Sequence, residues 1–229
     1  MAKLDVLYED NHLIAVNKPA GTLVQSDRTG DECLADQVKE YIKVKYNKPG
    51  EVFLGIIHRI DRPVSGVVLF ARTSKALARV NKMFQDKQIQ KTYWAIVEEN
   101  PASEQGVLVN YLKKNQEKNR SRAYDKEVKG SKRSELHYTL LGRSKNYFYL
   151  EVDPKTGRHH QIRVQLSHMG SPIKGDVKYM GKRTNKDGSI HLFARGMKLM
   201  HPTKKEPLYI EATPDQNDPL WREMTSLSR

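Results

Sequence analysis

Short apolar runs that alternate with turn residues are the feature that most constrains the fold of this chain. Residues 5–10 and 12–18 have the pattern of two strands separated by a polar turn. Residues 67–70 form an apolar run after a segment rich in turn formers, which predicts a buried strand. The sequence therefore predicts a β-rich fold with a few helices. Further strands are predicted at residues 91–98, 107–112, 135–142, 147–153, 191–200 and 207–212.

Helical patterns interrupt these strands. Apolar residues at helical spacing predict an amphipathic helix over residues 31–46. A second helix is predicted over residues 74–85, because Thr73 or Ser74 can cap its first turn. A short helix is also predicted at residues 219–227, close to the C-terminus.

One segment, residues 160–170, fits two structures. Ile162, Val164 and Leu166 alternate as in a strand, yet the segment also has apolar residues at helical spacing. We favour the helix because Gly170 is a typical helix stop signal.

The net charge of the chain indicates which class of molecule it binds. The 229 residues include 40 Lys and Arg against 27 Asp and Glu, which gives a formal charge of +13. A positive excess of this size is typical of proteins that bind a polyanion. The chain lacks both a signal-peptide pattern and a run of about 18 apolar residues, so we expect a cytoplasmic protein without a membrane partner. We expect residues 1–229 to form a single domain that acts as a monomer.

The single cysteine, Cys33, excludes an intramolecular disulfide and a site built from several thiolates. It falls within the predicted helix at residues 31–46 and is expected to be a small core residue. His58, His159 and His160 lack further ligands at familiar spacing, so no metal site is predicted.

The densest basic segment covers residues 113–133, with nine Lys and Arg against three acidic residues. Its mixture of cations with Asn, Gln, Ser and Tyr suits contacts with phosphate and sugar. The alternative is a solvated, mobile β-hairpin that has no partner. Smaller basic clusters lie at residues 174–186 and 198–205.

One carboxylate, Asp61, lies between Arg59 and Arg62 in a turn-forming segment. Nearby positive charge favours the anionic form of a carboxylate, so Asp61 is expected to be ionised at neutral pH. We predict that it lies in a loop that enters the core, where reactive groups are often found. An ordinary structural ion pair is the alternative.

Several separated segments together resemble the RluA-type pseudouridine synthases, which isomerise uridine to pseudouridine in ribosomal or transfer RNA. The resemblance implies a mixed α+β fold with a largely antiparallel central sheet flanked by helices and loops. It also implies an isomerase that acts on RNA without a cofactor or metal. The blocks that carry it are residues 6–21, 58–75, 90–97 and 157–176, with a weaker block at residues 201–214.

The resemblance assigns roles to individual residues. Asp61 matches the essential aspartate, which either attacks the ribose or assists its deprotonation. Tyr93 matches the active-site tyrosine, and Arg163 matches the basic residue that pairs with the aspartate. Arg59 resembles the residue inserted into RNA as the target base leaves the stack. Substrate contacts are predicted for His58, Arg59, Arg62, Lys114, Lys118, Arg120 and Arg122.

The chain departs from the family pattern at Ile60, Val64, His159 and Gln165. Many relatives also carry a small basic RNA-binding domain ahead of the catalytic domain, whereas here the catalytic pattern begins at about residue 5. RNA selection is therefore expected to depend on residues 113–133.

Two alternative functions stay open. One is a catalytically silent RNA-binding or ribosome-assembly protein. The other is a hydrolase, which would need a second carboxylate such as Asp153 or Asp176.

Overall fold

The computed structural model describes residues 4–26 and 30–227, which form a β-rich mixture of strands and helices. The strands are β1 (Val6–Glu9), β2 (Leu13–Lys18), β3 (Gly55–Ile56), β4 (Ser65–Ala71), β5 (Gln90–Val97), β6 (Gln105–Asn115), β7 (Arg120–Tyr124), β8 (Lys132–Arg143), β9 (Phe148–Pro154), β10 (Leu192–Met200) and β11 (Pro207–Glu211). The helices are α1 (Leu34–Lys45), α2 (Ser74–Gln85), α3 (Gln161–His168) and α4 (Pro219–Leu227), with a 3₁₀ turn at Val177–Tyr179.

The chain divides into two compact units, and the first comprises residues 1–91 and 194–213. Its strands follow the order β1, β2, β4 and β10, with β3 beside β4 and β11 beside β10. β2 and β4 pair in antiparallel register from Leu13 opposite Ala71 to Lys18 opposite Gly66. Residues 13–16 are fully buried, and so are residues 68–71, with which they pair in β4. This strand pair therefore forms the centre of the first core.

Gly66, at the start of β4, has φ +113° and lies against the backbone of Ala194. A Cβ atom at this position would overlap the Ala194 carbonyl group. Only glycine allows both this φ and this close approach. The residue thereby lets the chain pass directly from the loop that contains Asp61 into a buried strand.

The second unit comprises residues 92–193 and 214–229. Its strands follow the order β5, β9, β8, β6 and β7, and their pairings are antiparallel. Leu136, Tyr149, Leu150 and Val152 are completely buried in this sheet. The long strand β6 extends past β8 and pairs through its last five residues with β7.

Most elements match the predictions. The mixed α+β class and the largely antiparallel pairing are confirmed, and each predicted strand ends within three residues of the observed one. α2 and α4 have the predicted bounds. The ambiguous segment is helical, and Gly170 follows it with φ +94°. The expectation of one domain over residues 1–229 stays a prediction.

Three elements lacked a clear sequence signal: β3, β7 and the 3₁₀ turn. α1 also begins at Leu34 rather than residue 31, because Cys33 is extended at the N-cap with φ −110° and ψ 164°. Cys33 is buried as predicted, at 1% exposure. None of the helices in the described part of the chain combines the length and apolar character of a membrane span.

Candidate active site

Asp61 opens a four-residue turn just before β4. Its carbonyl oxygen accepts a hydrogen bond from the amide of Val64 at 3.0 Å, which closes the turn. Ile60 and Val64, on either side, are buried at 8% and 2% exposure, whereas Asp61 is partly exposed. The predicted loop position of Asp61 is confirmed. Apolar anchors fix the backbone of the turn, so the carboxylate is carried on a rigid support.

The segment after β2 holds this turn in place. The carbonyl oxygen of Arg62 accepts hydrogen bonds from the Gly21 amide at 2.8 Å and from Lys18 Nζ at 3.1 Å. The Arg62 side chain donates through Nε to the Gly21 carbonyl at 2.8 Å and pairs with Asp31 at 3.1 Å. Arg62 is therefore already engaged within the fold, and its contact with a substrate stays a prediction.

Lys18, which the motifs in the sequence did not single out, contacts the Asp61 turn through its side chain. Its side chain is fully buried, and Nζ also donates to the carbonyl oxygens of Pro19 at 2.9 Å and Thr22 at 2.8 Å. Burial lowers the pKa of Lys18 to about 7, although the charge of Asp61 acts in the opposite direction. The sequence feature that could have pointed to Lys18 is its position at the end of a predicted apolar strand. This residue places an ionisable group beside Asp61 and links β2 to the Asp61 turn.

His58 also ties the loop to the sheet. Its Nε2 accepts a hydrogen bond from the amide of Leu69 at 3.0 Å, and its ring lies 5.7 Å from that of Phe84. Burial lowers the pKa of His58 to about 3, and the nearby charge of Lys91 adds to this effect. The imidazole is therefore neutral at pH 7. The predicted substrate contact of His58 stays a prediction, as does that of the exposed Arg59.

We expect His58 to make the fold sensitive to acid. Its pKa is about 3 in the folded protein and about 6.5 when unfolded, so below pH 6.5 the unfolded chain binds the extra proton. Stability from this group is complete above pH 6.5 and is lost as the pH falls toward 3. The free energy of unfolding should fall by up to about 1.4 kcal/mol per pH unit in that window.

Urea unfolding at pH 7, 6, 5 and 4 tests this expectation. His58→Gln, whose side-chain oxygen can accept the same hydrogen bond, should lose less stability than the wild type between pH 6 and 4. His12→Gln makes the same change at a partly exposed histidine of the first unit, and it is the matched control that should follow the wild type. Parallel curves for all three proteins would rule out His58 as the source of the acid sensitivity.

In the second unit, Arg163 on α3 forms a buried bidentate ion pair. Its Nε lies 2.6 Å from Oδ2 of Asp176, and its Nη2 lies 2.8 Å from Oδ1. Both residues are at most 5% exposed. This geometry fixes the plane of the guanidinium group. The sequence did not predict Asp176 as a partner of Arg163, and the predicted pairing of Arg163 with Asp61 stays a prediction.

Tyr93 lies on β5, where it pairs with Val152 of β9. It is partly exposed, whereas the four residues that follow it are buried. The ring is thus carried on a strand whose next four residues are fixed in the core.

The predicted basic segment forms a hairpin from β6 and β7. Lys113 lies opposite Arg122, and Lys114 lies opposite Ser121. Lys114, Lys118, Arg120 and Arg122, the predicted substrate contacts of this segment, are all exposed. We call β6, β7 and the turn between them the basic hairpin.

The basic hairpin is tied to the N-terminal end of α3. Ser121 Oγ donates to the carbonyl oxygen of His159 at 2.8 Å, and His159 Nε2 lies 3.0 Å from Asn119 Oδ1. The rings of His159 and His160 stack with centroids 3.7 Å apart. These contacts give both histidines a structural role and fix the tip of the hairpin.

Asp153 and Asp176, the candidates for the second carboxylate of a hydrolase, are each engaged in an ion pair. Asp176 is held by Arg163, and Asp153 pairs with Lys155. The structure thus offers no support for using either one as a second catalytic acid.

Comparison with known proteins decides the family. A family model described as RNA pseudouridylate synthase matches residues 12–168, about two thirds of the chain. The chain belongs to the RNA pseudouridylate synthase family. The matched region contains Asp61, Tyr93 and Arg163, and the resemblance predicted from the sequence is confirmed.

Individual relatives within this family agree. The chain is 33% identical to a ribosomal large subunit pseudouridine synthase C from Buchnera aphidicola, over 92% of the chain and 67% of the relative. It is 32% identical to a tRNA pseudouridine synthase C from Vibrio cholerae, over 97% of the chain and 95% of the relative. For three of the curated relatives that it matches, the chain spans about two thirds of their length or less.

The fold has a close counterpart among solved structures. The human RNA pseudouridylate synthase domain-containing protein 4 superposes with a TM-score of 0.78, over 97% of this chain and 92% of that protein. At 23% sequence identity, this likeness concerns the fold alone.

Proposed function

We propose that this protein is an RNA pseudouridine synthase, an isomerase that converts specific uridines of ribosomal or transfer RNA to pseudouridine. The observation that carries the proposal is the family match over residues 12–168, because it includes the Asp61 turn and α3. Relatives named as ribosomal and as transfer RNA enzymes match about equally well, so both RNA classes are tested. We further propose that the protein acts as a cytoplasmic monomer.

In this reaction the uracil base is detached from the ribose, turned, and rejoined through carbon instead of nitrogen. Asp61 is the proposed nucleophile. Either attack on the ribose or assistance in its deprotonation requires an anionic carboxylate within contact distance of the flipped nucleotide. The rigid turn, clamped by Lys18 and Gly21, supports this role because it limits the positions that the carboxylate can adopt.

We assign the other two catalytic roles to Tyr93 and Arg163. A tyrosine ring can stack on a flipped base, and its hydroxyl can relay a proton. Arg163 is proposed to orient Asp61 and keep it charged. The bidentate contact with Asp176 supports this role, because an arginine held in one plane is a better orienting group than a flexible one.

RNA binding is proposed for the basic hairpin. In Lys114→Glu/Lys118→Glu, the affinity for RNA should fall, and the slope of log affinity against log salt should decrease by about 0.7 for each lost contact with single-stranded RNA. Lys43→Glu/Lys48→Glu makes the same charge change at exposed residues in and just after α1 and should leave the affinity close to that of the wild type. Equal effects of both variants would remove the hairpin from the RNA-binding surface.

The activity is tested by tritium release from RNA whose uridines carry tritium at ring carbon 5, since isomerisation replaces that bond. The protein is incubated with tritiated transfer RNA and ribosomal RNA in parallel. Release above an Asp61→Asn control is expected with at least one of them. RNA binding without release from either substrate would overturn the enzyme and favour a catalytically silent RNA-binding protein.

A further inference from the structure

The buried side chain of Tyr179 contacts three segments of the second unit. Its side chain is 2% exposed, and its hydroxyl oxygen accepts a hydrogen bond from the amide of Ser121 at 2.8 Å. The same oxygen lies 2.8 Å from Nδ1 of His160. The guanidinium carbons of Arg120 and Arg163 lie 5.2 and 5.1 Å from the centre of its ring. Tyr179 therefore connects the basic hairpin, the start of α3 and the 3₁₀ turn.

The turn that carries Tyr179 is tightly closed. The amides of Tyr179 and Gly181 both donate to the carbonyl oxygen of Asp176, each at 2.9 Å. A Cβ atom at Gly181 would lie 2.8 Å from the Asp176 backbone, so the chain cannot pass this point with a side chain at that residue. Because the carboxylate of Asp176 is itself held by Arg163, the turn has little freedom to move.

Met180 stands exposed on this rigid turn. Its side chain is 72% exposed, and that of Val177 is 52% exposed. Met180 has φ +70°, a left-handed conformation that costs a residue with a side chain about 1 kcal/mol or more. Two other left-handed residues lie in the segments that meet here: His160 contacts the Tyr179 hydroxyl group, and Asn119 contacts His159 and Lys178. Such strain is retained where the surrounding structure requires it, and it clusters at ligand sites.

The surroundings of Met180 are basic. Lys178, two residues away, donates through Nζ to the carbonyl oxygen of Asn119 at 3.3 Å, which brings it to the tip of the basic hairpin. Arg120 is exposed beside Tyr179. Lys182 is also close in sequence but pairs with Glu99 at 2.6 Å. An apolar tip bordered by lysine and arginine fits a polyanion with apolar faces, and nucleic acid has that chemistry.

We propose that the Met180 side chain packs against an unpaired base of bound RNA, while Lys178 and Arg120 contact the adjoining phosphates. This inference rests on the proposed function and adds a base-contacting residue to the RNA surface. The thioether is polarisable and favours contact with aromatic rings. The backbone of the turn is already fixed, so base binding orders only the Met180 side chain and not the whole turn.

Two fluorescein-labelled probes separate base contacts from phosphate contacts. One is a 12-nucleotide oligouridine, and the other is an abasic oligomer with the same number of phosphates. Met180→Ala should weaken binding of oligouridine about fivefold and leave the abasic probe unchanged, as expected for a lost methionine–ring contact. Lys178→Gln should weaken both probes and reduce the salt slope by about 0.7.

Met200→Ala is the matched control, because Met200 is an exposed methionine on β10 of the first unit. It should bind both probes as the wild type does. If Met180→Ala and Met200→Ala bind oligouridine equally well, or if Met180→Ala weakens both probes alike, the base contact is overturned. Tritium release by the wild type is measured in parallel. If the wild type releases tritium while Met180→Ala binds oligouridine normally, only this inference is overturned. The proposed function then still stands.

Discussion

Asp61→Asn is expected to reduce tritium release from RNA by about a thousandfold or more. The amide has nearly the same shape as the carboxylate but can neither attack as an anion nor accept a proton, so the chemical step loses its proposed nucleophile. Single-turnover assays with excess enzyme measure this loss directly, because they do not depend on product release.

The fold should survive this substitution. The carbonyl oxygens of Asp61 and Arg62 accept hydrogen bonds from the amides of Val64 and Gly21 and from Lys18 Nζ, and these three bonds do not use the Asp61 carboxylate. The melting temperature is therefore expected to change by no more than about 4 °C, which corresponds to about 1–2 kcal/mol for a protein of this size. Asp86→Asn, which makes the same chemical change beside Lys82 at the end of α2, is the control and should retain full activity. Activity of Asp61→Asn within tenfold of the wild type would contradict the role of nucleophile.

Asp176→Asn is expected to have the largest effect on stability, at about 3 kcal/mol. The carboxylate of Asp176 is 1% exposed and accepts two charge-assisted hydrogen bonds from Arg163. Loss of the Asp176 charge leaves the buried Arg163 guanidinium group without its full counter-charge, which typically costs about 3–5 kcal/mol. The backbone of Asp176 also closes the turn that holds Met180. Asp176→Asn should therefore weaken RNA binding as well as lower the stability. Urea unfolding gives the free energy, and the oligouridine probe gives the binding.

A double variant separates the ion pair from simple packing. Arg163→Met/Asp176→Leu replaces both charges with apolar groups of similar size, and such replacements can be nearly neutral for stability. The double variant should therefore be more stable than Asp176→Asn, while its tritium release should fall with the loss of Arg163. A double variant less stable than Asp176→Asn would mean that local packing, rather than the buried charge, dominates at this site.

Local patterns predicted the secondary structure well because they depend on neighbouring residues. Thr73 caps α2 through its side chain, which accepts from the amide of Ala76 at 3.1 Å, as its position before the helical pattern indicated. The helix at residues 160–170 was harder to predict. Residues 161–166 are all buried, including the polar Gln161, Arg163 and Gln165, so the spacing of polar residues does not mark an exposed face and cannot separate helix from strand.

The contacts around the candidate site depended on residues far apart in the chain. Lys18 is the last residue of the predicted strand at residues 12–18, yet its side chain donates to the carbonyl oxygen of Arg62, which lies 44 residues later. Asp176 was considered as a possible second acid, yet the tertiary structure makes it the partner of Arg163. Neither outcome has a local signature, because a charged residue has the same sequence pattern whether it faces water or a buried partner.

The sequence by itself determined the mixed α+β class, the reaction family and Asp61 as the residue on which the proposed chemistry depends. Strand periodicity, turn residues and the motif around Asp61 can all be recognised from contiguous residues. Only the tertiary structure decided what holds that chemistry in place: Lys18 and Gly21 on the Asp61 turn, Asp176 on Arg163, and Tyr179 between the basic hairpin and α3. The physical reason is that burial creates these pairings. A buried cation or carboxylate must find a partner, and the fold brings that partner from a distant part of the chain.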